Sequence, residues 1–361
     1  MSMTGQLGLQ GAAAAGALLL ATLACMPVLQ VPTVSNAAVA EEARRQRELA
    51  IELYHARRVR LAGVAARLRI GGVDLCGEQV GPYYGLRLLS LSDIREDFRE
   101  AIASVLGISD EPTVELIDPG SPADRAGLQQ GWQVARVNGR PVSNFTEVEL
   151  AIADAAGGPL KLELSGSQAG ATVVVEPVSA CSFPVLMQTS DSVNAFADGR
   201  RVVISSGMIK FVESEDELAL VVGHEMAHNV LEHVQKQQGN YVLGRLLGLL
   251  VDAGAAAAGV DTGRTGEALG AALGATLASK GFEAESDYMG AYLAARSGYP
   301  ISGAPMLWRR MAVEHPSSIQ GGFMASHPST PERFIALEQT VAEIERRLAA
   351  GEELEPLRRE P

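Results

Sequence analysis

His224-Glu225-Met226-Ala227-His228 holds more potential chemistry than any other run of this chain. In a helix, residues four apart stand ~400° round the axis at ~100° per residue, so both imidazoles leave one face. Two nitrogen donors on a helix, with a carboxylate beside the first, are what a hydrolytic metal centre needs. The imidazoles hold the ion, and Glu225 can take a proton from the attacking water. The preceding run, Glu217 to Val222, is apolar and helical, which carries these polar groups into a core. A second cluster, Glu283-Ala-Glu-Ser-Asp287, lies in a helical pattern running to about Ser297. Zinc bound by two His needs a third protein ligand and an open position, and Glu283 can supply the ligand. Asp287, one turn further on the same face, can accept a hydrogen bond from the far nitrogen of a ligating His and fix its tautomer. Glu285 points elsewhere and is expected to be solvated. His233 lies ~140° round a continuous helix from His228, so it is expected at the surface or in packing and not on the metal.

Further motifs stand in a fixed order around these: Asn194-Ala-Phe-Ala197, Ser205-Ser-Gly-Met-Ile209, Glu215-Asp-Glu-Leu-Ala, Gly298-Tyr-Pro300 and His327-Pro-Ser-Thr-Pro-Glu-Arg333. With them the chain resembles the HtpX-like and CAAX-prenyl-protease-like zinc metallopeptidases, especially the periplasmic BepA-type members, over about residues 44–76 and 181–345. The resemblance implies a gluzincin. One zinc per chain would sit on His224, His228 and Glu283, with Glu225 as general base. Asn194, Ala195, Phe196 and Ala197 would form an edge strand that pairs with substrate backbone. Ser286 stands where the family usually has Ala, a small-for-small change expected to be without consequence. Thr330 and Pro331 signal a helix start, as N-cap and first residue. The reaction also needs an electrophile for the developing oxyanion. The resemblance puts His327 near the metal, either in that role or as a plug in a resting state. Arg333 is a second candidate for the oxyanion, or an ordinary helix-surface charge.

These residues need elements to hold them, and the elements are interrupted. Ala43 to Leu68 has helical periodicity and matches the family's first helix, within a first protease segment at 41–80. From about 82 to 178 the character changes. Ile117-Asp-Pro-Gly-Ser-Pro-Ala-Asp-Arg-Ala-Gly-Leu128, followed by Gly131 to Val142 with Asn138-Gly139 as a tight-turn dipeptide, looks like a PDZ domain of the bacterial HtrA-like arrangement. A helix over 145–156 and strands at Leu160–Leu164 and Thr172–Val175 would complete it. Tyr84, Gly85 and Leu86 fit the loop whose N–H groups hold a peptide carboxylate, followed by the strand to which a peptide adds. The protease resumes at 181–345, with a charged tail at 346–361. The expected class is therefore α+β: a mostly helical zincin-type domain with a small edge-strand sheet, interrupted by a PDZ β-sandwich. Cys76 and Cys181 flank the insert. In an oxidising compartment they can staple its neck, or they remain two buried thiols.

Residues 11–29 form an uncharged apolar run, and Ala38-Val-Ala40 resembles a cleavage site. Export with cleavage is expected over residues 1–40, with a membrane anchor or lipidation at Cys25 as alternatives. The Gly/Ala-rich segment 243–277 is read as two closely packed core helices, with a membrane surface as the alternative. A net charge of −13 over 361 residues argues against nucleic acid as a partner. Together these features point to an exported periplasmic zinc endopeptidase acting on unfolded or misassembled envelope proteins, with peptide C-termini at the PDZ domain. The alternative from another class is a chaperone or assembly factor that cleaves rarely.

Overall fold

The computed structural model describes residue 29 and residues 31–277, 279–314, 327 and 330–358. The expectations for residues 1–28, Cys25 included, lie outside them. The chain divides into two compact units, Met1–Arg47 and Glu48–Pro361. Helix α1 (Asn36–Gly71) begins in the first, and every later element belongs to the second. On α1, Leu61, Val64 and Leu68 are buried in the protease core, a stripe at the i, i+3, i+7 spacing of one helix face.

Strand β1 (Val80–Tyr83) leads into the insert. Inside it follow β2 (Leu86–Leu89), α2 (Glu96–Leu106), β3 (Thr113–Ile117), α3 (Pro122–Arg125), β4 (Val134–Val137), β5 (Arg140–Pro141), α4 (Phe145–Asp154), β6 (Leu160–Leu164) and β7 (Thr172–Val175). β2 and β3 form an antiparallel ribbon, and β5-β4-β6-β7 a second sheet, joined through the Thr113–Gln133 bridge. Leu88, Val114, Val134, Val137, Leu160 and Leu162 fill a core of the insert's own. Asn138 (φ 51°) and Gly139 (φ 78°) both take left-handed conformations at the β4–β5 turn, as a type I′ hairpin requires. Strand β8 (Val178–Cys181) returns antiparallel to β1, with Val80 opposite Cys181. A Cys76–Cys181 disulfide, Cα–Cα 5.7 Å, ties the same neck, and Arg69 Nε donates to the Cys181 carbonyl at 2.8 Å.

The protease then resumes with β9 (Val185–Gln188), β10 (Ala195–Ala197) and β11 (Val202–Ser205) in the order β10-β11-β9. β11 is parallel to β9, antiparallel to β10 and buried throughout. After α5 (Ser206–Phe211) comes α6 (Glu215–Val230), capped by the Ser214 side chain, which accepts from Glu217 N. Three acids in its first turn suit the positive end of the helix dipole. α7 (His233–Ala257) and α8 (Thr265–Leu277) form a hairpin.

That hairpin corrects the expectation of core packing. Its helices touch through glycine backbones: a Cβ on Gly248 would lie 2.0 Å from the Gly266 carbonyl oxygen, and one on Gly270 2.2 Å from that of Gly244. Such close approach leaves large side chains no place between the helices. Leu246, Leu247 and Leu250 are accordingly exposed. Among the described residues, no helix is long and apolar enough to cross a membrane.

α9 (Ser279–Arg296) crosses α6, and α10 (Ala304–Glu314) and α11 (Pro331–Ala350) close the core. The Thr330 side chain caps α11 by accepting from Arg333 N. The boundary expected at 345 falls inside α11, and Leu354 beyond it is buried in the protease core, so 346–354 is not a free tail. At the α6–α9 crossing a Cβ on Gly290 would lie 2.7 Å from His224 N. Gly290→Ala is therefore expected to push α9 off α6, costing about 1–3 kcal/mol. Denaturant unfolding and zinc titration check this; a variant equal to the parent in both would show that the crossing has slack.

Candidate metal centre

Helix α6 puts His224 and His228 on one buried face, and α9 brings Glu283 against them. His224 Nε2 lies 3.2 Å from His228 Nε2. Glu283 Oε2 is 3.5 Å from the first nitrogen, and Oε1 is 3.4 Å from the second. Nitrogen or oxygen ligands about 2.0–2.1 Å from a tetrahedral ion stand about 3.3 Å from one another. The three side chains thus have the mutual spacing of one coordination shell, and His327 joins them in a set whose ligand atoms all lie within 4.8 Å of each other. Beside them Glu225 is buried, and its Oε2 has no hydrogen-bond partner among the described residues.

The charges around this set favour a cation. Burial works against a charged His224, yet the carboxylates of Asp287 and Glu283 outweigh it and push its pKa up to about 10. Burial likewise opposes ionisation of Glu283, but His327, His224 and His228 hold it well below the usual carboxylate range. Asp287 Oδ1 faces His224 Nδ1 at 3.0 Å, off the line of a good hydrogen bond. Asp287 also accepts two hydrogen bonds from Arg333, Nε and Nη2, both at 2.8 Å. The third nitrogen of that guanidinium, Nη1, is 3.0 Å from Glu283 Oε2. Arg333 is thus buried with all three nitrogens directed at the two acids. It ties Glu283 and Asp287 together. His327 Nδ1 lies 3.0 Å from Glu283 Oε2, and its Nε2 is 3.6 Å from Glu225 Oε1.

Several neighbours escaped sequence reasoning. Of the two expectations for His233, surface or packing, packing holds: it is 2% exposed and stacked on Phe282, but it packs beside the ligands. The helix breaks after Val230, Glu232 takes a left-handed conformation (φ 55°), and α7 starts at His233 itself. The reversal returns His233 to the ligand face, where its Nδ1 lies 3.2 Å from His228 Nδ1. Glu285 is exposed but not merely solvated: its Oε2 is 3.1 Å from His233 Nε2. Ser286 is fully buried with Oγ 3.1 Å from His233 Nδ1, so the change from Ala does touch the site. Trp308 on α10 sets its ring edge-on to His224 at 5.2 Å. Asn229, next to His228, accepts from Gly199 N at 2.8 Å and donates to the Arg201 carbonyl at 3.1 Å, which ties the β10–β11 turn to α6. No helix periodicity announces these contacts; only the Ser at 286 marked its place.

Residues 194–197 lie at the sheet edge. β10 covers Ala195–Ala197 and runs against α6; its outer side is unpaired among the described residues. In the insert, Gly85 is held at φ 76° with Ser121 so close that a Cβ would lie 2.1 Å from that side chain. Tyr84 is fixed by its hydroxyl, which donates to the Gly158 carbonyl at 2.7 Å. These residues and Leu86 line a cavity of about 640 Å³ that is shared with Arg58 and Arg69 of α1, Phe145 and Ile152 of α4, and residues 185–187 of β9.

Residues 176–341 match the model of peptidase family M48, and residues 90–165 match that of the PDZ domain. The chain is similar to the mitochondrial metalloendopeptidase OMA1 of Arabidopsis thaliana, 28% identical over 159 residues, which are 44% of this chain and 31% of that one. It is also similar to the beta-barrel assembly-enhancing protease of Yersinia pestis, 30% identical over 141 residues, 36% of this chain and 28% of that one. It therefore spans about a third of the length of these relatives. A crystal structure of the HtrA3 PDZ domain bound to a phage-derived ligand matches 28% of this chain and 88% of its own at 24% identity, with a TM-score of 0.22.

Proposed function

We propose that this chain, which belongs to peptidase family M48 and carries an inserted PDZ domain, is a zinc-dependent endopeptidase that cleaves unfolded or unassembled cell-envelope proteins. The observation that carries the reading is the convergence of His224, His228 and Glu283 at the spacing of one coordination shell, beside a buried Glu225 with a free oxygen.

His224, His228 and Glu283 would hold a zinc ion, which would supply a Lewis acid and lower the pKa of a water toward neutrality. Glu225, buried with an unpartnered oxygen, is placed to take a proton from an attacking water and to return it to the departing amine. Asp287, facing His224 Nδ1 at 3.0 Å, would favour the tautomer that leaves Nε2 free once the two come into line. β10 offers an open edge to which an extended substrate backbone adds, next to α6. His327, with a ligand atom within 4.8 Å of those of His224, His228 and Glu283, would serve either as a plug over the metal or as the group that meets the developing oxyanion.

The disulfide at the neck of the insert supports an exported, periplasmic location, since such bonds persist in oxidising compartments. The apolar run at 11–29 supports the same location, with membrane association through it. The shared cavity supports a PDZ domain that recruits peptide C-termini or gates the cleft: a peptide held at Tyr84 to Leu86 would lie against β9, two strands from β10.

Replacing residues 84–177 with a short Gly/Ser bridge keeps β1, β8 and the disulfide. It is expected to leave zinc bound and to change kcat/KM on substrates with free C-termini by about 5–150-fold. Parent rates on every substrate, from a folded and zinc-loaded variant, would remove the PDZ domain from the account. Cleavage that persists with Glu225→Gln would favour a different catalytic group; absence of cleavage in the zinc-loaded parent would favour a binding factor.

A further inference from the structure

We propose that His233 is a positioning residue for the second metal-binding histidine, and that Glu285, His233 and His228 form one relay from the protein surface to the metal centre. The proposal rests on the zinc reading of the site and goes beyond it. No role of His233 follows from the metal-ligand motif, and on a continuous helix it would face away.

Hydrogen-bond logic fixes the direction of the relay. His228 turns Nε2 toward His224 and Glu283, so for it to ligate a cation that nitrogen must be unprotonated. In a neutral imidazole the proton then sits on Nδ1. That nitrogen is 3.2 Å from His233 Nδ1, which must accept it. The proton of His233 therefore sits on Nε2, 3.1 Å from the Glu285 carboxylate, which can only accept. The opposite tautomer of His233 would set N–H against N–H at one end and a lone pair against a carboxylate at the other. Ser286 Oγ, 3.1 Å from the same Nδ1, has only donation open to it there. The ring is also held mechanically. It is 2% exposed and stacks on Phe282 at 4.3 Å, with the planes 15° apart.

The two metal-binding histidines are thus supported differently. His224 faces a buried carboxylate directly, one clamped by Arg333. His228 reaches its carboxylate through a second imidazole, and that carboxylate is at the surface. Loss of such an outer partner typically costs 10–100-fold in metal affinity, by freeing the ligand to rotate or change tautomer.

The test is the zinc dissociation constant of the full chain, read by competition with a chromophoric chelator, for His233→Phe, His233→Asn, Glu285→Ala and Glu285→Gln. His233→Phe keeps the stacked shape without the acceptor and is expected to weaken zinc binding by about 10–100-fold. His233→Asn, whose side-chain oxygen can accept from His228 Nδ1, is expected to recover most of that loss. A merely space-filling role would give the opposite order, since Phe fills the site better than Asn. Glu285 is exposed, so its replacement does not endanger folding; Ala there is expected to cost about tenfold, at the low end of that range, and Gln, still an acceptor, little. Nitrogen NMR of the zinc-loaded parent should show His228 protonated at Nδ1.

A parent that binds no zinc overturns the metal reading itself, and the relay with it. A parent that binds one zinc, with folded His233→Phe equally tight, overturns the relay alone. If the Phe variant does not fold, equal affinities for the parent, Glu285→Ala and Glu285→Gln do the same.

Discussion

Glu225→Gln is expected to keep one zinc per chain and to lower kcat on an unfolded protein by about 10²–10⁴-fold, with little change in KM. The substitution is nearly isosteric and Glu225 is not among the three grouped donors, so the metal has no reason to leave. What disappears is a carboxylate that can take a proton. The buried side chain has one oxygen without a partner among the described residues and the other 3.6 Å from His327 Nε2. Glutamine fills the same space and hydrogen-bonds, but it cannot serve as a base near neutral pH. Steady-state kinetics beside elemental analysis separate the two effects. A zinc-loaded variant working at the parent rate would exclude Glu225 as the base.

Glu283→Ala is expected to lose the zinc and, with it, the activity. It removes the carboxylate that α9 sets between His224 and His228. It also takes from Arg333 Nη1 and His327 Nδ1 the carboxylate they share. Breaking a buried pair on one side costs about 3–5 kcal/mol, and here the lower end applies, because Asp287 still accepts two hydrogen bonds from Arg333. The metal-free variant should therefore unfold at lower denaturant than the metal-free parent. Full zinc occupancy in Glu283→Ala would contradict the ligand set, and unchanged stability of the metal-free forms would contradict the charge network drawn around it.

What the sequence could show depended on whether a helix stayed regular. His224 and His228 could be placed on one face because α6 is unbroken between them, and Glu283 and Asp287 because α9 is. His233 could not, since the break at Glu232 is a left-handed turn taken by a non-glycine residue, and no Gly, Asn or Pro stands there to announce it. The turn dipeptide Asn138-Gly139 in the insert is the opposite case, where residue type and backbone need coincide. For Arg333 the sequence left an oxyanion role and a helix-surface charge both open, because spacing along α11 says nothing of the two acids on α9 that draw it inward. In the α7–α8 hairpin, glycine and alanine foretold close helix contact. Composition alone did not reveal that a pair so closely joined would leave its leucines exposed.

The most direct measurement is cleavage of a chemically unfolded protein by the chain stripped of metal and then titrated with zinc. The account predicts no cleavage by the metal-free chain, recovery in proportion to added zinc, and a plateau at one equivalent. Cleavage by the metal-free chain, or a fully loaded chain that cuts nothing, would contradict it.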